Sequence, residues 1–141
     1  QTIGYNKVNQ LMHVRFLKDK EHTLAHMQRQ AAILKPKFDA VLRALDETVA
    51  PAGIARWHRP RGGYFISLYA MPGTAKRTLA LCKQAGVTMT GAGATYPYGV
   101  DPDDSNIRIA PTYATLPELE QAVEILCTSL RLSALEKLRG A

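Results

Sequence analysis

The most regular pattern in the sequence is a series of apolar residues that begins at Leu24, passes through Phe38 and ends at Leu45. Its members follow one another in alternating steps of three and four residues, which places them on one face of an α-helix. We therefore predict one long amphipathic helix over residues 21–49. Because Pro36 has no backbone N–H and its ring clashes with the carbonyl one turn earlier, we expect a kink at this residue.

Shorter patterns on either side of this helix predict a short helix and a β-hairpin. Apolar residues near helical spacing predict a first helix that ends around Lys18. After the long helix, aromatic and β-branched runs cover residues 54–58 and 64–70, with Pro and Gly residues between them. Such a pair of runs is typical of two antiparallel strands joined by a turn.

The remaining segments complete an α+β pattern. A helix is predicted over residues 74–85, and strands are predicted near residues 87–90 and 107–110. The last helix begins with a capping box formed by Thr115 and Glu118. The strands are too short for a full doubly wound sheet. We therefore predict an α+β fold: a small mixed or antiparallel sheet with helices packed on one side, preceded by the long kinked helix.

Composition indicates one soluble globular domain. The chain has 141 residues, of which 46% are hydrophobic, enough for a single core. No apolar run approaches the roughly 18 residues of a membrane span, so no membrane contact is predicted. Cys82 and Cys127 are far apart and show no Cys-x-x-Cys spacing, which indicates reduced thiols in a cytoplasmic protein. Because the chain begins with Gln1 rather than Met, we expect it to be a piece of a longer protein.

The basic excess does not by itself predict a nucleic-acid partner. The chain has 18 Lys and Arg against 12 Asp and Glu, which gives a formal charge of +6. These charges are spread over predicted helix faces, apart from three arginines around His58. The segment from Arg56 to Gly63 mixes charged, aromatic and glycine residues as nucleic-acid contacts often do. A hairpin turn with a charged edge explains the same residues, and we favour that interpretation.

Two groups of potential metal ligands are incomplete. His22 and His26 lie one helical turn apart and could chelate a metal, yet no third ligand accompanies them. The acidic residues that begin at Asp101 resemble the start of a calcium-binding loop. Such a loop needs glycine at its sixth position and glutamate at its twelfth, where this chain has Asn106 and Thr112. We therefore predict no metal site.

Arg108 is the residue that a purely structural role explains least well. It alternates with two isoleucines in a predicted strand, so it faces away from them, and it follows a long Gly-rich and Tyr-rich loop over residues 91–106. An arginine that points inward from a short strand needs an anionic partner. A substrate carboxylate is one such partner, because the planar guanidinium offers two parallel donors. An ordinary salt bridge and an exposed strand face are the alternatives.

Five segments, taken in order, resemble the C-terminal third of class I/II aminotransferases, the fold type I enzymes that depend on pyridoxal phosphate. The resemblance is to a bacterial branch named for aspartate or alanine-glyoxylate aminotransferases, and it covers nearly the whole chain. The segments are KVNQLMHVRFLKD, AILKPKFDAVL, RGGYFISL, GATYPYG and DPDDSNIRIAPT.

The resemblance implies a division of the chain and a role for three residues. Residues 1–20 would end the large domain, and residues 21–141 would form the C-terminal small domain with its long connecting helix. Arg108 would bind the substrate carboxylate, and Tyr96 and Tyr98 would lie near the substrate. The whole protein would be a homodimeric transferase that moves an amino group between an amino acid and a 2-oxo acid, with pyridoxal 5'-phosphate as its cofactor.

The resemblance also implies that the cofactor is bound mainly by a large domain outside this chain. The chemistry requires a Schiff-base lysine and an acidic partner for the pyridinium nitrogen. No lysine here has a serine three residues before it, as the family's Schiff-base lysine often does. We therefore expect no catalytic or cofactor-binding residue in this chain, and no activity from the chain alone. The alternative hypothesis is a stand-alone module that binds an anionic metabolite through Arg108, or nucleic acid through the turn from Arg56 to Arg61.

Overall fold

The computed structural model describes Gly4 and residues 6–140. In this part of the chain the α-helices and strands are, in order, α1 (Lys7–Leu17), α2 (Lys20–Thr48), β1 (Ala55–Trp57), β2 (Ile66–Ala70), α3 (Ala75–Gln84), β3 (Asn106–Ile109) and α4 (Leu116–Leu138). The predicted α+β class is confirmed. No helix within the described residues combines the length and the apolar character that crossing a bilayer requires.

The described residues form two compact units, one that ends at Lys35 and one that begins at Pro36. Helix α2 runs through both, so Pro36, where the sequence predicts a kink, is the first residue of the second unit. In the second unit the apolar face of α2 is completely buried at Val41 and Leu45. In the first unit the large apolar side chains of α1 and α2 are mostly exposed, namely those of Val8, Leu11, Met12, Phe16, Leu24 and Met27.

The sheet of the second unit is antiparallel, with β2 between β1 and β3. Its side chains alternate between two faces, because successive residues of a strand point to opposite sides. One face is apolar: Ile66 and Leu68 of β2 and Ile107 of β3 are completely buried. They share one core with Leu126 and Leu130 of α4. Helices therefore cover one side of the sheet, as predicted, and polar residues line the other side.

Residues 87–90, which were predicted as a strand, are irregular. They follow α3 through a turn at Gly86, whose φ of 89° lies in the left-handed region. The N–H of Val87 donates to the carbonyl of Cys82, 2.8 Å away, and so closes the helix end instead of starting a strand. Val87 and Met89 both pack against the core. Their alternation resembles a strand in the sequence, but within the described chain the segment has no neighbouring strand to pair with.

The acidic segment before β3 is organised by its own carboxylates. Asp101 accepts hydrogen bonds from the backbone N–H groups of Ser105 and Asn106, each at 2.7 Å. Asp104 accepts the N–H of Lys76 in the first turn of α3. Desolvation disfavours the charged form of Asp101, yet its backbone donors together hold the pKa of this carboxyl below its usual value. The segment that resembled a calcium-binding loop therefore accepts backbone N–H groups at the start of β3 and in the first turn of α3.

The loop between α3 and β3 closes on itself at Gly93. The N–H of Tyr96 donates to the Gly93 carbonyl at 2.8 Å, and the N–H of Gly99 donates to the Tyr96 carbonyl at 3.0 Å. Gly93 has a φ of 81°, and a Cβ at this position would overlap the carbonyl oxygen of Gly99. Both the backbone conformation and the close approach therefore require glycine.

We predict that Gly93→Ala destabilises this loop, whereas Gly91→Ala does not. A Cβ at Gly93 meets the Gly99 carbonyl and forces a strained backbone, at a cost of about 1–3 kcal/mol. A Cβ at Gly91 meets no atom within 4 Å, so this variant is the matched control. Thermal unfolding of the full polypeptide should give a lower Tm for Gly93→Ala, and hydrogen exchange should localise the change to the loop. Equal Tm values for the two variants would contradict the prediction.

Candidate functional site

Arg108 lies in β3, on the face of the sheet opposite to the core. Its neighbours Ile107 and Ile109 are buried in the core cluster. Across the sheet, Arg108 is paired with Ser67 of β2. The prediction that Arg108 faces away from the two isoleucines is thus confirmed, and the residue is half-buried rather than exposed.

One hydrogen bond and one aromatic ring hold the Arg108 guanidinium. Its Nη2 donates to the hydroxyl oxygen of Thr90, 3.3 Å away, and its Cζ lies 4.5 Å from the centroid of the Phe65 ring. The ring face attracts the cation electrostatically. The Nε of Arg108, in contrast, is buried and has no hydrogen-bond partner in the described part of the chain. A buried donor without a partner costs about 1–3 kcal/mol, so this N–H favours an acceptor that enters from outside.

Within the described residues, no carboxylate forms an ion pair with Arg108. The ion pairs in the described part of the chain involve other side chains. A half-buried guanidinium without a counterion is unfavourable, because its charge is partly removed from water and is not compensated. The ordinary salt bridge that the sequence left open as an alternative is therefore absent from the described residues, and the site suits an anionic ligand.

A polar network beside Arg108 connects the long loop to the sheet. The hydroxyl of Thr95 donates to Asn106 Oδ1 at 2.6 Å, and Asn106 Nδ2 donates to the Ser67 hydroxyl at 2.9 Å. Asn106 is almost completely buried, whereas Thr95 lies on the exposed part of the loop. Because Ser67 is also the cross-strand neighbour of Arg108, this network fixes the loop next to the guanidinium.

The two tyrosines named in the sequence analysis occupy the same loop but different environments. Tyr96 is half-buried, and desolvation together with the nearby Asp101 carboxylate raises the pKa of its hydroxyl. Tyr98 has a positive φ of 58° and is fully exposed, at 102% of its reference area. Within the described chain, neither tyrosine makes a hydrogen bond or ring contact with Arg108.

The residues that contact the guanidinium were not predicted from the sequence. Phe65 is the ring beneath it, and the only available signal was an aromatic residue shortly after the Gly62-Gly63 turn. Thr90 was assigned to a strand that does not form. Asn106 and Ser67 gave no recognisable signal, because their roles depend on the register of β2 against β3.

The histidine pair has a local structural role. His22 Nδ1 lies 2.8 Å from Asp19 Oδ1, at the start of α2, and His26 packs edge-on against Phe16. Among the described residues, no group of three or more His, Cys, Asp or Glu side chains could hold a metal ion.

The arginine-rich turn is also occupied by internal contacts. The guanidinium of Arg56 lies over the Tyr69 ring, 4.2 Å from its centroid. Arg59 forms an ion pair with Asp46 at 2.5 Å. These contacts agree with the interpretation of the segment as a charged hairpin turn.

Comparison with known proteins identifies the family. The family model described as aspartate amino-transferase matches residues 1–141, the whole chain. An aspartate aminotransferase from Corynebacterium glutamicum is 48% identical over 134 residues, which are 95% of this chain and 31% of that protein. The crystal structure of an aspartate transaminase from the same organism matches with a TM-score of 0.92 and 48% identity, over 96% of this chain and 32% of that chain.

A more distant structure shares the fold. The alpha-aminoadipate aminotransferase from Thermus thermophilus, solved with N-(5'-phosphopyridoxyl)-L-leucine, matches with a TM-score of 0.71 and 21% identity over 90% of this chain and 31% of that chain. The chain thus spans about a third of the length of the relatives that it matches. The resemblance to the C-terminal small part of a fold type I aminotransferase is confirmed. The chain belongs to the aspartate aminotransferase family.

Proposed function

We propose that the whole protein is a pyridoxal-phosphate-dependent aminotransferase that moves an amino group between an amino acid and a 2-oxo acid. Family membership supports the class of reaction. We further propose that residues 1–20 end the large domain, that residues 21–141 form the small domain, and that the enzyme is a cytoplasmic homodimer. These last points rest on the resemblance to the family.

Within this enzyme, we propose that Arg108 binds the α-carboxylate of the substrate. The observation that carries the proposal is the buried Nε of Arg108, which has no acceptor among the described residues. Nε and the adjacent Nη of a guanidinium point in parallel and match the two oxygens of a carboxylate. The ring of Phe65 covers one face of the guanidinium, so the carboxylate would bind at its edge.

The role of this chain is to bind and orient the substrate. Pyridoxal phosphate, when bound, supplies the amino-group carrier and the electron sink. The free N–H of Arg108 suits a carboxylate, and we propose that the cofactor itself is held mainly by the part of the protein outside this chain. By fixing the carboxylate, Arg108 would determine which bond of the substrate faces the cofactor. Orientation of this kind contributes to catalysis because it removes unproductive geometries.

The alternative, a stand-alone binding module, has less support. Its nucleic-acid version needs the arginine-rich turn to be available, yet Arg56 stacks on Tyr69 and Arg59 pairs with Asp46. Its anionic-metabolite version uses Arg108 in the same way as the proposed enzyme does. The two differ in whether a catalytic large domain accompanies the chain, and the match to a third of each relative favours the enzyme.

We predict that Arg108→Ala in the full-length enzyme lowers kcat/KM about 30-fold to several thousand-fold. This range corresponds to the roughly 2–5 kcal/mol lost when one member of a buried charge pair is removed. Arg108→Lys should also be strongly impaired, because an ammonium group cannot reproduce two parallel hydrogen bonds. Steady-state kinetics with varied amino donor would measure both effects, and the absorbance of bound cofactor should stay unchanged.

Arg56→Ala is the matched control for the Arg108 variants. Arg56 lies on the same face of the sheet and also stacks on an aromatic ring, but it belongs to β1 and is exposed. Its variant should keep kcat/KM within about threefold of wild type, as expected for a surface charge. The assignment of Arg108 is wrong if Arg108→Ala behaves like this control while folding normally.

We propose that Tyr96 and Tyr98 lie at the substrate, and we predict different responses to substitution. A tyrosine hydroxyl is neutral near pH 7 and can donate a hydrogen bond, and the raised pKa of Tyr96 favours this protonated form further. Tyr96→Phe should therefore lower kcat/KM about 5- to 30-fold, the loss expected for one hydrogen bond.

For Tyr98 we expect the ring to matter, so that Tyr98→Phe is tolerated and Tyr98→Ala is not. Tyr113→Phe, at another fully exposed tyrosine, is the control.

We also predict that the 141-residue chain alone has no transaminase activity and forms no specific covalent adduct with pyridoxal phosphate. The reason is that none of its lysines has the sequence context of the Schiff-base lysine. The chain would be incubated with pyridoxal phosphate, reduced with borohydride and mapped by peptide mass spectrometry. Stoichiometric labelling of one lysine would overturn the prediction, whereas weak labelling spread over exposed lysines would agree with it.

A further inference from the structure

Lys37 connects the long helix α2 to the loop that leaves β3. Its Nζ donates to the carbonyl oxygens of Thr112 and Ala114, at 2.9 and 2.6 Å. The side chain is half-buried, and its bonds join residues that are 75 and 77 positions apart in the chain. Hydrogen bonds donated by a charged group are stronger than those between neutral groups. One ammonium group thus holds two peptide carbonyls of a short loop.

The same lysine lies close to the N-terminus of α4. Glu118 accepts hydrogen bonds from the N–H and the hydroxyl of Thr115, at 2.9 and 2.6 Å, and these bonds lower the pKa of its carboxyl. The bonds of Lys37 to Thr112 and Ala114 place its ammonium next to the capping box, and its charge adds to the lowering of the Glu118 pKa. The loop between β3 and α4 is therefore held by Lys37 along its length and by Glu118 at its end.

We propose that Lys37 is a positioning residue for Arg108. This inference rests on the proposed role of Arg108 in binding the substrate carboxylate. Arg108 lies four residues before Thr112, and between them Ile109 and Pro111 are buried, so the strand end and the loop form one packed segment. Lys37 fixes this segment to α2 and thereby sets where the guanidinium lies along the polar face of the sheet.

The place of Lys37 in α2 adds a second consequence. It directly follows Pro36, where the sequence predicts a kink in the helix. A bond from this turn of the helix to the loop after β3 makes both move together. Arg108 would then keep a fixed position relative to the part of α2 that follows Pro36.

The test is Lys37→Met in the full-length holoenzyme, which removes the ammonium but keeps an apolar side chain of similar length. We expect KM for the amino donor to rise about tenfold, the loss typical of a charge-assisted hydrogen bond, with kcat changed less than about threefold. Hydrogen exchange of residues 110–115 should accelerate, and the absorbance of bound cofactor should not change. Lys37→Arg should restore most of the KM, because a guanidinium can donate to both carbonyls.

Arg43→Met is the control on the same helix. Arg43 is exposed, and the ion pairs between described residues involve other side chains. This variant should leave KM and the exchange of the loop unchanged. The proposal is overturned if Lys37→Met lowers Tm but leaves KM at the wild-type value, or if Arg43→Met raises KM equally.

A double substitution separates this proposal from the assignment of Arg108. If Lys37 acts through Arg108, adding Lys37→Met to Arg108→Ala should lower kcat/KM by less than about twofold more. A further tenfold loss of kcat/KM would show that Lys37 acts independently of Arg108. That result would reject the positioning role of Lys37 and leave the carboxylate site untouched. If Arg108→Ala by itself has no effect on kcat/KM, the proposed carboxylate site fails, whatever the result for Lys37.

Discussion

The alternation of side chains along β3 is the constraint on which both the core and the candidate site depend. Ile107 and Ile109 enter the core, and this burial leaves Arg108 between them on the opposite face. A slip of one residue against β2 would move the guanidinium into the core and both isoleucines to the polar face. The hydrophobic energy that stabilises the domain therefore also fixes the orientation of the Arg108 side chain.

Charged side chains bind backbone groups at both ends of β3. A carboxylate accepts N–H groups at one end, and an ammonium donates to carbonyl groups at the other. Before the strand, the Asp101 carboxylate accepts the N–H groups of Ser105 and Asn106. After it, the Lys37 ammonium donates to carbonyl groups of the next loop. Peptide dipoles compensate both charges, and the charge of Lys37 also acts on the Glu118 carboxylate. A strand of only four residues can in this way present Arg108 in one defined position.

The sequence was informative where a pattern is local and uninformative where contacts are distant. The long helix, the hairpin and the capping box at Thr115 follow from spacing and from neighbouring residues, and each is present in the structure. The orientation of Arg108 followed from the same kind of pattern. Its contacts with Phe65 and Thr90 did not, because they join segments that come together only through the sheet and the loop. The strand expected at residues 87–90 failed for a related reason: alternating burial of side chains requires a packed segment but not a paired backbone.

The position of Pro36 has a consequence for how the domain could be divided. The second unit begins at this residue and contains the whole hydrophobic core, whereas the exposed apolar side chains Val8, Leu11 and Met12 belong to the first. Proline is unfavourable inside a helix but favourable in its first turn, where its N–H is not needed and its φ already suits the helix. In a polypeptide that starts at Pro36, this proline would therefore stand at a favourable position in the first turn of the helix, and the exposed apolar side chains of α1 would be absent.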